Sequence, residues 1–360
     1  MKRLLHRGAV RLARLAEDVT AQVASRLLDK TLGLKKGESV TIETWNNGLK
    51  FALEVVKQAR KIGAIPLLVL EDEETYLKGL AEAPKDSIGL MGKHEYGLVA
   101  GSDAYVFIPG PPLGAFYKGI SRDQYASAVK YNPSWYKAAE KAKLRGARLA
   151  FGYAGRDYAR LLGKSEKEIV GAQLDAAMAD FAKISQSGRA LAARLQDGKD
   201  VVVRGESSRL TFRIKGDVEV EDGMVDKDDV KVGLNVAYIP PGYVLKDAAK
   251  GSATGKATVT RSPSTGGMVE DAVLEFEKGK LKRWSSAKSL DALNRAVGKG
   301  GLPLQYFSVG LNPRMKYGYG LDRFVKGAVC LYGFGFTAVC RKATVSVGGR
   351  KVVDEGKLLL

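Results

Sequence analysis

Residues 39–72 read SVTIETWNNGLKFALEVVKQARKIGAIPLLVLED, and they decide the fold class. Ser39–Thr44 is a short, β-branched, apolar run, and Pro66–Asp72 is another. Between them Leu49–Ala64 has the composition and length of a helix. A strand, a helix and a second strand in this order predict parallel strands with a helix covering one face.

Working outward, the same grammar holds from about residue 20 to 180. The helical stretch ASRLLDKTLGL precedes the first strand and ends at a Lys35-Lys36-Gly37 turn. Further on come the strand AYVFIPG, the helix PSWYKAAEKAKLRGA, the strand RLAFGYA, and one long helix from about Glu166 to Arg194. After Asp197-Gly198 the pattern changes. KDVVVRGE, SRLTFRIKG, KATVTR, AVLEFEKGKLKRW and ATVSVGGRKVVDEG are short alternating strands, separated by turn residues such as DGMV, STGG and VGGR. Hairpins require such turns, and one helix, SLDALNRAVGK, interrupts them. The expected organisation is a basic amphipathic helix over 1–20, an α/β domain with a mainly parallel sheet over 21–190, and an α+β domain rich in antiparallel strands over 191–360.

The 360 residues carry 58 Lys+Arg against 40 Asp+Glu, a formal net charge of +18. That balance suits an anionic partner and does not identify one. Six Asn and seven Gln lean toward a heat-adapted source. No run approaches the roughly 20 apolar residues of a bilayer span, so a soluble, cytoplasmic protein is expected. The N-terminal stretch lacks a continuous apolar core and a small-residue cleavage site, which speaks against a secretory signal. Arg3, Arg7, Arg11 and Arg14 recur there at helical spacing, as a packed helix or as a phosphate- or lipid-facing one. Cations also gather between Lys278 and Lys316, where the one acid is Asp291. The candidate contacts to an anionic partner there are Lys280, Lys282, Arg283, Lys288, Arg295, Lys299, Arg314 and Lys316.

Histidine-based chemistry is hard to build from this chain. Its two histidines, His6 and His94, lie in the first hundred residues, His94 in the loop-like GKHEYG. Cys330 and Cys340 sit in apolar runs and read as buried thiols, with a bridged or redox-active pair as the alternative. The segment Gly251–Ala257 mimics a phosphate loop, but its glycines are one residue too close and its hydroxyl is replaced by Ala257, so it reads as a turn. No glycine fingerprint opens a helix in the first domain, which argues against a dinucleotide site. Glu219, Glu221, Asp222, Asp226, Asp228, Asp229, Glu270 and Asp271 are assigned mostly to turns.

The order of several segments resembles one family, the aminopeptidase T-type (thermophilic leucyl) metallo-aminopeptidases. LLDKTLGLKKGESVTIET resembles its opening, and RLAFGYAGRDYARLLGKSEKEI its mid-chain strand, loop and helix. VEDGMVDKDDVKVGLNVAYIPPGYVLKDAAKGSATGKATV and FSVGLNPRMKYGYGLDRFVKGAVCLYGFG resemble the metal-ligand segments, and ATVSVGGRKVVDEGKLL the final hairpin. The resemblance implies that family's two-domain fold, a dimer, and a two-metal site of Glu, His and Asp ligands in the second domain. Carried over by position, those ligands fall at Tyr243, Tyr306, Cys330 and the Gly335–Thr337 stretch. Phenols, a thiol, a glycine and Thr337 do not replace carboxylates and imidazoles as ligands. The expectation is therefore a degenerate member without cofactor. It would be a binding or scaffold protein for RNA, a ribonucleoprotein or an acidic protein, or else would hold a small molecule or peptide end among Tyr243, Tyr306 and Tyr317. The alternatives are an active metal-dependent hydrolase with unrecognised ligands and a structural subunit of a larger assembly.

Overall fold

The computed structural model describes residues 18–110, 124, 127–128, 130–150, 155–264 and 266–360. Arg3, Arg7, Arg11 and Arg14 lie outside the described residues. The chain forms two compact units, one from Met1–Gly155 with Gly223–Pro240, the other from Arg156–Asp222 with Pro241–Leu360.

The first unit opens with the predicted strand–helix–strand, β1 (Ser39–Trp45), α1 (Leu49–Ile62) and β2 (Ile65–Glu71). Phe51, Ala52, Val55 and Ala59 recur at three- and four-residue spacing on the buried stripe of α1. Asp72 starts α2 (Glu73–Glu82) by accepting the Thr75 backbone N–H at 2.8 Å. Hydrogen bonds from Asn46 first, and then from Thr75, hold the Asp72 carboxyl down at about 2. Next come α3 (Lys93–Ala100), β3 (Ala104–Ile108), α4 (Tyr131–Ala142) and β4 (Arg145–Leu149). His94 thus sits exposed in the first turn of a helix, not in a loop. The fourth strand spans Arg145–Leu149 rather than RLAFGYA, whose last four residues lie outside the description. Arg145 fixes its start by donating to the carbonyl of Leu32 at 2.7 Å and pairing with Glu38 at 2.8 Å.

In the second unit α5 (Arg156–Leu162) is followed by α6 (Glu166–Ala177) and α7 (Phe181–Ala192). The single helix expected from Glu166 to Arg194 is therefore two. Asp180 ends the run by capping Lys183 at 3.2 Å, and Asn312 takes the carbonyl of Ala176 at 3.0 Å. Strands β5 (Asp200–Arg204) and β6 (Arg209–Glu221) follow. The chain then returns to the first unit through α8 (Lys227–Lys231) and β7 (Val236–Ile239). β7 pairs in parallel with β4 and completes a sheet of order β2-β1-β3-β4-β7.

This return is a correction to the sequence reading, which kept residues 191–360 together. The boundary between the units also falls after Gly155 rather than at 190/191, because α7 packs on β6 of the second unit and α5 on its later strands.

The remaining strands are β8 (Tyr243–Ala248), β9 (Thr254–Ser264), β10 (Gly267–Glu277) and β11 (Lys280–Ser286). After α9 (Leu290–Val297) come β12 (Tyr306–Gly310), β13 (Val329–Tyr332), β14 (Ala338–Cys340), β15 (Thr344–Val347), β16 (Arg350–Asp354) and β17 (Lys357–Leu358). They form a twelve-stranded antiparallel sheet, ordered β14-β13-β12-β8-β6-β5-β15-β16-β17 with β9, β10 and β11 branching from β6. Period-2 alternation drives Leu274 and Phe276 of β10, Phe212 of β6 and Phe307 of β12 into its core. Phe212 meets Phe307, and Phe276 meets Phe334, edge to face at 5.2 and 5.4 Å. Burial of each such ring contributes on the order of 2–3 kcal/mol. The phosphate-loop mimic ends in β9, where Gly255 presses on the backbone of Arg209.

Candidate functional site

Register and pleat together assemble one polar face in the second unit. β12 pairs with β8 so that Gly310 faces Tyr243 and Tyr306 faces Asp247. On its other side Ser308 faces Cys330 and Tyr306 faces Tyr332. Residues directly opposite share a face and alternate residues return to it. Tyr243, Tyr306, Ser308, Cys330 and Tyr332 therefore lie on one side, and Val244, Phe307, Val309, Val329 and Leu331 on the core side. Three of the positions singled out in the sequence, Tyr243, Tyr306 and Cys330, are thus brought to one face. Gly335 and Thr337 stand in the connection from β13 to β14, where a Cβ on Gly335 would collide with the carbonyl of Ala296.

A short 3-10 turn, Asp322–Phe324, lies across this face at Gly310, where a Cβ would strike the backbone of Arg323–Val325. The turn carries Phe324, whose ring meets Tyr243 edge-on at 5.3 Å, and Arg323, whose guanidinium stands 5.7 Å from the Tyr243 ring. The Tyr243 hydroxyl donates to Glu219 at 2.7 Å. Tyr332 and Ser308 share a hydrogen bond of 2.8 Å, and the Tyr306 and Tyr332 rings lie 5.1 Å apart. Asp322 is buried, pairs with Arg341 at 2.9 Å, and accepts the Gly318 N–H at 2.7 Å.

The electrostatics favour the protonated forms of Tyr243, Tyr332 and both thiols. Burial pushes Tyr243 well above the usual phenol range, and Glu221 and Glu219 add to it against Arg323. Burial likewise raises Tyr332 and the Cys330 thiol, and pushes Cys340 up to about 12. Among the described residues no three His, Cys, Asp or Glu side chains stand close enough to hold one metal ion. The residues of this face do not fit a pair of divalent cations.

Both cysteines are buried, free thiols. Cys330 faces Val339 and Cys340 faces Val329, so the pleat sends their side chains to opposite sides of the sheet.

Sequence reading missed Ser308, Asp322, Arg323, Tyr332 and Arg341, which no local motif marks. It also assigned Glu219 and Glu221 to turns, whereas both lie on β6, with Glu221 paired to Tyr243 across the ladder. Glu270 and Asp271 lie on β10, and Asp226 and Asp229 form the capping box of α8.

Of the expected cationic contacts between Lys278 and Lys316, half are engaged within the chain. Arg283 grips Glu275 with two bonds of 2.8 Å, Lys288 pairs with Asp271 at 2.7 Å, and Arg314 pairs with Asp175 at 3.1 Å. Arg295 donates twice to the carbonyl of Gly266. Lys280, Lys282, Lys299 and Lys316 are exposed and make no ion pair among the described residues. The first two stand on β11, beside the 299–302 loop that bonds to Leu281.

The first unit holds a second polar cluster, built on β1, β3 and the helices α3 and α4 that precede and follow β3. Tyr105 of β3 donates to Glu43 of β1, and Tyr131 of α4 donates to Glu95 of α3 at 2.8 Å. Burial raises the Glu43 carboxyl, Tyr105 works against it, and Glu95 and Glu71 raise it further. This cluster stands between β1 and β3, where the strand order reverses.

The family profile described as "Thermophilic metalloprotease (M29)" matches residues 16–299. Among solved structures, wild-type AmpT from Thermus thermophilus superposes with a TM-score of 0.66 at 14% identity, covering 96% of this chain and 100% of that one. That likeness shows a shared fold. Among curated proteins no match is found. Among the described residues no helix is long and apolar enough to cross a membrane.

Proposed function

The chain belongs to the thermophilic metalloprotease family M29, and from that premise we propose that it is a non-catalytic member acting through binding, with RNA as its anionic partner. The observation that carries this reading is the chemistry of the face built by β8, β12 and β13. At the positions the resemblance assigns to metal ligands stand Tyr243, Tyr306 and Cys330, with Gly335 and Thr337 beyond them. Two phenols and a single thiol do not replace the convergent carboxylates and imidazoles of a two-metal site. The reading needs no cofactor, and a homodimer follows from the family resemblance.

RNA is supported by the net charge of +18 and by the unpaired Lys280, Lys282 and Lys299 around β11. Each phosphate contact releases counterions, so such binding weakens steeply with salt. The test is affinity purification of the tagged chain from its native cell at low and high salt. RNA that co-purifies at low salt and is stripped at high salt is the expected result. Recovery without nucleic acid at either salt contradicts the reading.

A further inference from the structure

The loop Lys316–Gly320, KYGYG, leads from β12 to the Asp322–Phe324 turn and joins aromatic rings to cations. It is pinned at two points: Tyr158 donates to the carbonyl of Gly320 at 2.9 Å, and Gly318 donates to Asp322 at 2.7 Å. Gly318 and Gly320 have φ of +84° and +86°, so the backbone reverses between residues that keep Tyr317 and Tyr319 half-exposed. Each ring has a cation over it, Arg341 at 4.4 Å from Tyr317 and Lys164 at 5.2 Å from Tyr319. Lys164 and Lys316 make no ion pair among the described residues. The acid nearest the loop, Asp322, is buried and already matched by Arg341. Rings on a fixed loop beside ammonium groups are what single-stranded nucleic acid uses, because every base has a π-face and every link a phosphate.

We propose that Tyr317 and Tyr319, with Lys164 and Lys316, form a stacking platform for single-stranded RNA. This rests on the RNA reading above and goes beyond it, since it places the bases at this loop rather than at β11. Tyr319 and Tyr317 each stack a base on the ring face opposite the cation that already covers them, and the two lysines contact the adjoining phosphates.

The test is fluorescence anisotropy of a labelled oligouridine of about a dozen nucleotides, titrated with the full chain. Tyr319→Leu fills space without a ring, and Tyr319→Phe restores the ring without the hydroxyl. The Leu variant is expected to weaken binding about 5- to 100-fold and the Phe variant to bind like the parent. Lys164→Gln is expected to lower the slope of log affinity against log salt by about 1. Thermal melts establish that each variant is folded. Folded Tyr317→Leu and Tyr319→Leu variants that bind like the parent, while Lys280→Glu with Lys282→Glu abolishes binding, overturn the platform and leave the RNA reading standing. A parent chain that does not bind the oligonucleotide overturns both.

Discussion

The polar cluster of the parallel sheet and the polar face of the antiparallel sheet bury similar groups and compensate them differently. Around Glu43 the neighbours are other acids, Glu95 and Glu71, with Arg148 acting against them. Its relief comes from the Tyr105 hydrogen bond, and its carboxyl is raised. In the second unit, Asp322 is also buried, yet Arg341 pairs with it and Arg323 is its chain neighbour. Burial still raises Asp322, but hydrogen bonds and guanidinium charge work against it. The difference teaches that similar burial is opposed by a phenol hydrogen bond in one unit and by a guanidinium ion pair in the other.

Breaking the Asp322–Arg341 pair is the severest test of that contrast. Arg341→Ala leaves Asp322 buried and unmatched. Removing one partner of a buried pair costs roughly 3–5 kcal/mol, and the 26% exposure of the Arg341 side chain reduces this to about 2 kcal/mol. Chemical denaturation at neutral pH measures it, and an unchanged midpoint would show that the pair is idle. Next in size is Tyr243→Phe, which removes the bond to Glu219 and is expected to cost about 1 kcal/mol.

Glu43→Gln is the converse case. The folded Glu43 value lies above its ordinary 4.5, so the native state binds the extra proton and stability is lost as pH rises through the folded value. The glutamine variant is therefore expected to melt higher than the parent at pH 7 and alongside it at pH 4. Equal melting at both pH values would remove the contrast. The smallest effect concerns Cys330 and Cys340. Buried and raised, they are expected to resist iodoacetamide in the native protein and to react fully on unfolding.

How much of this was legible in the sequence follows from the range of each signal. The β1-α1-β2 unit was readable because its periodicity is local, as were the hairpins of the second unit. The placement of β7 was not, because Val236–Ile239 is a four-residue apolar run whose parallel partner β4 lies ninety residues away. The break at Asp180 depends on Asn312 reaching back to Ala176, which no window of sequence contains. Tyr243, Tyr306 and Cys330 were singled out through family resemblance alone, and it is the pleat that sets them on one side of the sheet. Arg323, Asp322 and Arg341 stayed hidden because they arrive on a turn and a strand end, where charge ordinarily means solvent.

The central claim is that this face carries no metal-dependent peptidase chemistry, and metal content read together with turnover tests it most directly. The purified chain, incubated with zinc or cobalt and desalted, is expected to retain far less than one ion per chain and to release no product from a panel of aminoacyl reporters. Stoichiometric, tightly held metal with turnover abolished by EDTA would contradict the account.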